Sequence, residues 1–137
     1  MKNEIKEITS EETLDIRNKV MWPNKSIDYV RISNDSEGRH FGLFINDKLI
    51  SVISLFINDN SAQFRKFATL TNYQGNGYGS VLLNEIINIV ERDKIDKIWC
   101  NARVDKSEFY LKFGLKFTDI QFQRGEINYV IMEKMLN

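Results

Sequence analysis

The clearest pattern of apolar and polar positions lies in residues 77–92. Its apolar residues recur every three or four positions, as they do on the buried side of a helix. The apolar set is Leu82, Leu83, Ile86, Ile87, Ile89 and Val90, and the polar set between them is Asn84, Glu85, Asn88 and Glu91. The pattern predicts a surface helix over residues 77–92.

A first helix is predicted near the amino terminus. Thr9 and Glu12 have the spacing of a capping box, and Pro23 cannot continue a helix, so these residues bound it. Its apolar side is expected to consist of Leu14, Ile16, Val20 and Met21. The polar residues 24–38 that follow predict a short helix and a loop.

The remaining patterns predict strands and one short helix. Apolar runs at residues 41–45 and 49–57 flank Asn46, Asp47 and Lys48, which predicts a β-hairpin. Other strands are predicted at residues 4–8, 61–71 and 95–102, and a closing hairpin at 116–122 and 127–132. A helix over residues 105–113 is expected to have Asp105 as its N-cap and Gly114 as its stop. This order predicts a mixed α/β fold rather than a regular β-α-β repeat.

Composition narrows the class of protein. The 137 residues favour one domain, 1–137. Lys and Arg number 19, as do Asp and Glu, and a net charge of zero argues against binding nucleic acid or a membrane surface through bulk charge. One cysteine and one histidine argue against a disulfide or a metal site. No apolar run approaches about 18 residues and no signal region opens the chain, so we expect a cytoplasmic protein.

Residues 68–80 carry the strongest functional signal. They run from the end of a predicted strand through Gly75, Gly77 and Gly79 into the predicted helix. A glycine-rich turn that opens a helix gathers unpaired backbone N–H groups at the positive end of the helix dipole, and such a site suits phosphate. The spacing fits neither a P-loop, since no Lys follows a glycine, nor a dinucleotide fingerprint, which needs glycine where Ser80 stands.

Two motifs resemble the signatures of one family. Gln74-x-x-Gly77-x-Gly79 is similar to the acetyl-CoA signature of the GCN5-related N-acetyltransferases (GNAT). Ser107-Glu-Phe-Tyr-Leu-Lys-Phe-Gly, further along the chain, is similar to the second signature of that family. The resemblance implies the GNAT fold, a mixed central sheet of about six or seven strands flanked by about four helices. It also implies transfer of an acetyl group from acetyl-CoA to a primary amine by direct attack in a ternary complex.

The resemblance also implies a set of site residues. The pantetheine arm of acetyl-CoA would bond to the strand at Phe67, Ala68 and Thr69, and one N–H near Ala68 would face the thioester oxygen. The diphosphate would rest on the amides of Gln74, Gly75, Asn76, Gly77, Tyr78, Gly79 and Ser80. Phe109 and Lys112 of the second motif would complete the cofactor site, and Tyr110 would donate a hydrogen bond or a proton to the leaving sulfur.

The general base does not follow from the motifs. Some family members have a glutamate on the strand before the glycine loop, and Gln63 stands at that position here. A water chain can replace it, as can His40, Asp105 or Glu126, or the substrate can arrive as a neutral amine. His40 also fits a satisfied residue at a strand end, and Cys100 fits a core position rather than a nucleophile.

Other features leave alternatives open. Arg65 and Lys66 are neighbours on a strand, so we expect their side chains on opposite faces, one of them able to hold an anionic group of the substrate. The acceptor would lie among residues 24–39 and 121–127, and it can be a small molecule or a peptide, on a monomer or a homodimer. A non-catalytic acetyl-CoA sensor and a nucleotide- or phosphate-binding module are the rival functions.

Overall fold

A computed structural model of the chain describes residues 2–136, in which seven strands and three α-helices are formed. The strands are β1 Asn3–Ile8, β2 Arg39–Ile45, β3 Lys48–Asn58, β4 Ser61–Thr69, β5 Lys97–Arg103, β6 Lys116–Arg124 and β7 Ile127–Met135. The helices are α1 Ser10–Met21, α2 Tyr78–Arg92 and α3 Glu108–Leu111. Single 3₁₀ turns lie at Ile27–Val30, Asp35–Glu37, Thr71–Tyr73 and Val104–Lys106.

The strands hydrogen-bond in the order β1-β2-β3-β4-β5-β7-β6. The pairs β1–β2, β2–β3, β5–β7 and β6–β7 are antiparallel, whereas β4 and β5 are parallel. The β4–β5 register consists of Ser61 with Lys97, Ala62 with Ile98 and Gln63 with Trp99, although β4 continues to Thr69 and β5 to Arg103. The predicted mixed α/β fold is confirmed.

Local turn chemistry explains two of the predicted elements. Asn46 and Asp47 link β2 to β3 with φ values of 48° and 69°, the left-handed pair that a two-residue hairpin loop requires. At the start of α1 the capping box is complete, because Thr9 accepts from the Glu12 amide and Glu12 accepts from the Thr9 amide. Both predictions from these residues are confirmed.

The described chain divides into two compact units. The first comprises the residues up to Phe56 together with Arg65–Ile86, and the second comprises Ile57–Phe64 and the residues from Ile87 onward. In the first unit, Ile16 of α1 packs with Val52 of β3 and Ala68 of β4. In the second, the buried residues include Ile98, Cys100 and Ala102 on β5, Phe113, Leu115, and Val130 and Met132 on β7.

Two expectations about helices are wrong. Met21 does not belong to the buried side of α1, since it is 37% exposed, whereas Thr13 and Arg17 are buried there. Asp105 does not cap α3. Residues 104–106 wind into a 3₁₀ turn first, and Ser107 precedes the helix, with its hydroxyl donating to the Val104 carbonyl at 2.8 Å. Of the helices in the described residues, none is long and apolar enough to cross a membrane.

Candidate functional site

The loop between β4 and α2 has a backbone that suits glycine. Gly75 and Gly77 have φ values of 79° and 85°, in the left-handed region that other residues enter at a cost. A Cβ built on either would meet nothing within 4 Å. Conformation rather than crowding therefore requires these glycines, and open space lies in front of them.

The amides along this loop divide into two groups. Those of Leu70, Tyr73 and Gln74 are used internally, since they donate to the carbonyls of Ile50, Leu70 and Thr71. The first α-helical bond of α2 runs from the Val81 amide to the Gly77 carbonyl at 3.1 Å. Within the described chain, the amides of Gly75, Asn76, Gly77, Gly79 and Ser80 have no recorded acceptor. These donors at the amino end of a 15-residue helix can bind an anion.

The polar side chains of the loop bind the loop itself. Gln74 Nε2 donates to the Thr69 carbonyl at 2.8 Å, and Asn76 Nδ2 donates to the carbonyls of Tyr73 and Gln74 at 3.4 and 3.3 Å. The amide and the side chain of Gln74 therefore both have acceptors within the protein. Gln74 fixes the loop to the end of β4.

Gly79 is required for a different reason. A Cβ at this position would lie 3.2 Å from Phe67 Cζ and 3.4 Å from Thr69 Oγ1. The distance to Phe67 is tighter than ordinary van der Waals contact, so the absence of a side chain eases the approach of the first turn of α2 to β4. The loop and the end of β4 thus form one packed piece.

The end of β4 presents alternate backbone groups to its two edges. The Leu70 amide donates to Ile50 of β3, and the Ala68 carbonyl accepts from Ser51 Oγ at 3.1 Å. Thr69, between them, turns its carbonyl to Gln74 instead. The Leu70 amide and the Ala68 carbonyl therefore both have partners on β3.

Lys66 breaks the regularity of β4. Its φ of 54° is left-handed, so the extended geometry behind the opposite-face expectation for Arg65 and Lys66 does not hold at this residue. The break occurs just before Phe67. Ser51, which sequence reasoning missed, also shapes this end of the strand: its hydroxyl bonds to Ala68 and lies 2.8 Å from Thr69 Oγ1. A serine inside the apolar run of residues 49–57 was the available signal.

Tyr110 lies in the second unit among aromatic rings. Its ring centroid is 5.7 Å from that of Phe64 and 5.3 Å from that of Phe109, and Lys112 Nζ lies over the Phe109 ring at 4.7 Å. Burial raises the pKa of Tyr110 above the ordinary 10.0, and the neighbouring Cys100 raises it further. Its hydroxyl forms no recorded hydrogen bond within residues 2–136. At neutral pH this phenol is a protonated donor available to a ligand.

The candidate bases differ in their surroundings. His40 is 4% exposed, and both ring nitrogens are engaged, Nδ1 with Ser54 Oγ at 2.7 Å and Nε2 with the Asp35 carbonyl at 2.9 Å. These two hydrogen bonds fit the interpretation of His40 as a satisfied residue at a strand end rather than as a base. Asp105 is exposed and faces Arg103 at 3.7 Å, and Glu126 is exposed in the β6–β7 turn. Burial raises the pKa of the Cys100 thiol to about 12, which makes it a poor nucleophile.

Comparison with known proteins adds independent findings. A family model described as an acetyltransferase (GNAT) domain matches residues 8–136. YitI of Bacillus subtilis strain 168, an uncharacterized N-acetyltransferase, is 31% identical over 143 aligned residues, covering 97% of this chain and 96% of YitI.

Solved structures of other proteins have the same fold as this chain. A structure from Lactobacillus plantarum, provisionally an N-acetyltransferase, has a TM-score of 0.88 at 20% identity and full coverage of both chains, 100% of each. A GNAT family acetyltransferase from Elizabethkingia anophelis, solved with acetyl-CoA bound, has a TM-score of 0.78 at 16% identity and 98% coverage of each chain.

Proposed function

This chain belongs to the GNAT family of acetyltransferases, and from that premise we propose that it moves the acetyl group of acetyl-CoA to a primary amine on a small molecule or a peptide. The amine attacks the thioester directly while both substrates are bound. The observation that carries the proposal is a set of backbone amides with no recorded acceptor at the amino end of α2: those of Gly75, Asn76, Gly77, Gly79 and Ser80.

These amides are proposed to hold the diphosphate of the cofactor. The Elizabethkingia relative binds acetyl-CoA on the same fold, which supports the choice of ligand. The pantetheine arm would bond to backbone N–H and C=O groups at Phe67, Ala68 and Thr69, at the end of β4, as an added strand would. One of these N–H groups would face the thioester oxygen, where such a donor is typically worth about 3–4 kcal/mol as negative charge develops.

Tyr110 is proposed to stabilise the leaving sulfur. A free thiol has a pKa of about 8.5, below that of tyrosine, so full proton transfer from the phenol to the thiolate is unfavourable. Burial raises the pKa of Tyr110 still further, which widens that gap. The buried phenol therefore acts as a hydrogen-bond donor to the thiolate and need not surrender its proton in the transition state.

Deprotonation of the acceptor is the costly step. An alkyl amine with a pKa of about 10.4 must lose a proton before it attacks, at a cost of about 4.6 kcal/mol at neutral pH. Since Gln63 cannot act as a base, we propose that water relays this proton or that the acceptor arrives neutral.

The test is release of free CoA thiol from acetyl-CoA in the presence of an amine panel. Putrescine, tyramine, a lysine-containing peptide and a peptide with a free amino terminus represent the acceptor classes. Tyr110→Phe is expected to lower kcat by about 10²-fold, the lower range for loss of one hydrogen-bond donor to charge that develops in the transition state, with the dissociation constant for acetyl-CoA unchanged. Tyr129→Phe, a half-buried tyrosine stacked on Phe122, is the matched control. Full activity of Tyr110→Phe would remove Tyr110 from the mechanism.

A second candidate is a non-catalytic acetyl-CoA sensor. The observation that favours it is Gln63, which replaces the carboxylate that some family members use as a base. This candidate predicts tight binding of acetyl-CoA by calorimetry with no thiol release for any amine in the panel. Turnover of one amine excludes it.

A further inference from the structure

A buried charge network lies in the first unit, apart from the glycine loop. Arg17 of α1 is 0% exposed, and its guanidinium donates to both carboxylate oxygens of Asp35 at 2.9 Å. It also donates to the Val30 carbonyl at 3.0 Å and to Ser54 Oγ at 2.9 Å. Burial alone would raise the pKa of Asp35, but bonds from Arg17 and the Ile32 amide lower it, so the carboxylate is charged at neutral pH.

The network joins a segment without α-helix or strand to the scaffold. Residues 22–38 contain two 3₁₀ turns, and Val30, at 2% exposure, is their deeply buried apolar residue. Arg17 bonds to the first turn through the Val30 carbonyl and to the second through Asp35. His40 adds a bond from Nε2 to the Asp35 carbonyl. Burying an ion pair costs desolvation free energy that its attraction does not always recover, so stability alone does not explain the Arg17–Asp35 pair.

The far end of this segment contacts β3 at a residue next to Arg65 of β4. A Cβ at Gly38 would fall 2.5 Å from Phe56 Cε1, so the segment ends in close contact with the Phe56 ring. Arg65 Cζ lies 6.0 Å from the centroid of the same ring. Arg65 begins the part of β4 that leads through Lys66 to Phe67. Phe56 therefore links the held segment to the strand proposed to present the thioester.

We propose that the Arg17–Asp35 pair is a positioning device for the acceptor: it holds residues 24–38 in place, with their end at Gly38 packed on Phe56, and thereby shapes the approach of the amine to β4. The inference rests on the proposed function. It predicts that loss of the pair weakens recognition of the amine and leaves the grip on acetyl-CoA intact, because Gly75, Gly77 and Ser80 take no part in the network.

Three variants separate positioning from simple stability. Asp35→Asn leaves the buried Arg17 charge without its counterion, so it should lower Tm. Arg17→Met with Asp35→Asn removes both charges, fills the site with an apolar chain of similar length, and keeps an oxygen for the Ile32 amide, so most of the Tm should return. Glu11→Gln is the control, since it breaks only the exposed pair between Glu11 and Arg31 on the same segment.

Each variant is assayed with acetyl-CoA and with the panel amine that wild type turns over fastest. Asp35→Asn and the double variant should both raise the KM of the amine by about tenfold, with kcat and the KM of acetyl-CoA unchanged, which is the pattern of lost uniform binding. Hydrogen exchange of the amides in residues 24–38 should accelerate in both. Glu11→Gln should match wild type.

Two results would overturn the inference. One is a double variant in which the amine KM returns together with Tm, since the pair would then be structural only. The other is unchanged exchange and unchanged amine KM in both variants. If wild type releases no thiol with any panel amine, the proposed function itself fails. If wild type turns over an amine and the variants have the same amine KM as wild type, only the positioning inference fails.

Discussion

Replacing Gly77 with alanine separates the cost of backbone strain from the cost of lost cofactor binding. The φ of 85° is unfavourable for a residue with a Cβ by about 1–2 kcal/mol. The added methyl would meet no protein atom within 4 Å, so no packing penalty is added. It would instead enter the open space where the diphosphate is proposed to lie. Loss of one charge-assisted hydrogen bond is worth about 1.5–3 kcal/mol, or roughly 10- to 150-fold in the dissociation constant of acetyl-CoA.

Gly125 supplies the matched control. It also has a left-handed φ, 62°, and a Cβ there would likewise meet nothing within 4 Å, but it lies in the β6–β7 turn. Urea unfolding should therefore show similar losses of stability for Gly77→Ala and Gly125→Ala. Calorimetry with acetyl-CoA should show weaker binding for Gly77→Ala only. Equal affinities in the two variants would refute the assignment of the diphosphate to this loop.

Three further predictions concern the chemistry. Gln63→Glu installs a carboxylate at the position where some family members have a base, so kcat/KM should rise by about tenfold or more at neutral pH. Gln123→Glu, an exposed position on β6, is the control. No gain in kcat/KM, with acetyl-CoA binding intact, would count against a base at position 63. Because burial raises the pKa of Tyr110, its hydroxyl keeps its proton, and so remains a donor, at pH 10.0. The free energy of unfolding falls only as pH rises past 10.0, where the tyrosine ionises in the unfolded chain but not in the fold. A kcat that already falls below pH 10.0 would contradict the donor role. Cys100→Ala should retain kcat within about threefold, since a thiol with a pKa of about 12 does not attack at neutral pH, and loss of turnover would indicate an acyl-cysteine.

The elements that depend on local chemistry were predictable. The period of α2, the glycines before it, the capping box at Thr9 and the hairpin at Asn46 and Asp47 all follow from residues close together in the chain. The fold class followed from their order. In the same way, the two motifs suffice to identify the family, since each is a short run of adjacent residues.

The features that were not predicted depend on side-chain contacts and on turn geometry that the pattern of residue types does not reveal. Arg17 occupies a position where a charged side chain is expected in solvent, and only the approach of Asp35 and Ser54 makes its burial possible. The inward role of Gln74 depends on where the Thr69 carbonyl points, which no spacing reveals. The Asp105 cap failed because the chain first winds into a 3₁₀ turn that ends at Lys106.

The contrast between Gln74 and Gly77 indicates how this loop can serve a ligand. A loop that binds an anion through its backbone must hold its shape without using the anion-binding amides in hydrogen bonds within the protein. Here the side chains of Gln74 and Asn76 donate to carbonyls and so stabilise the loop, while the amides of Gly75, Gly77 and Ser80 have no recorded acceptor. Carbonyl oxygens only accept hydrogen bonds, so they cannot bind phosphate, whereas amide N–H groups can. When side chains donate to the loop carbonyls, those carbonyls no longer compete with a phosphate for the N–H groups. The glutamine of the motif therefore supports the backbone that is proposed to hold the diphosphate, a role that requires no contact of its side chain with the cofactor.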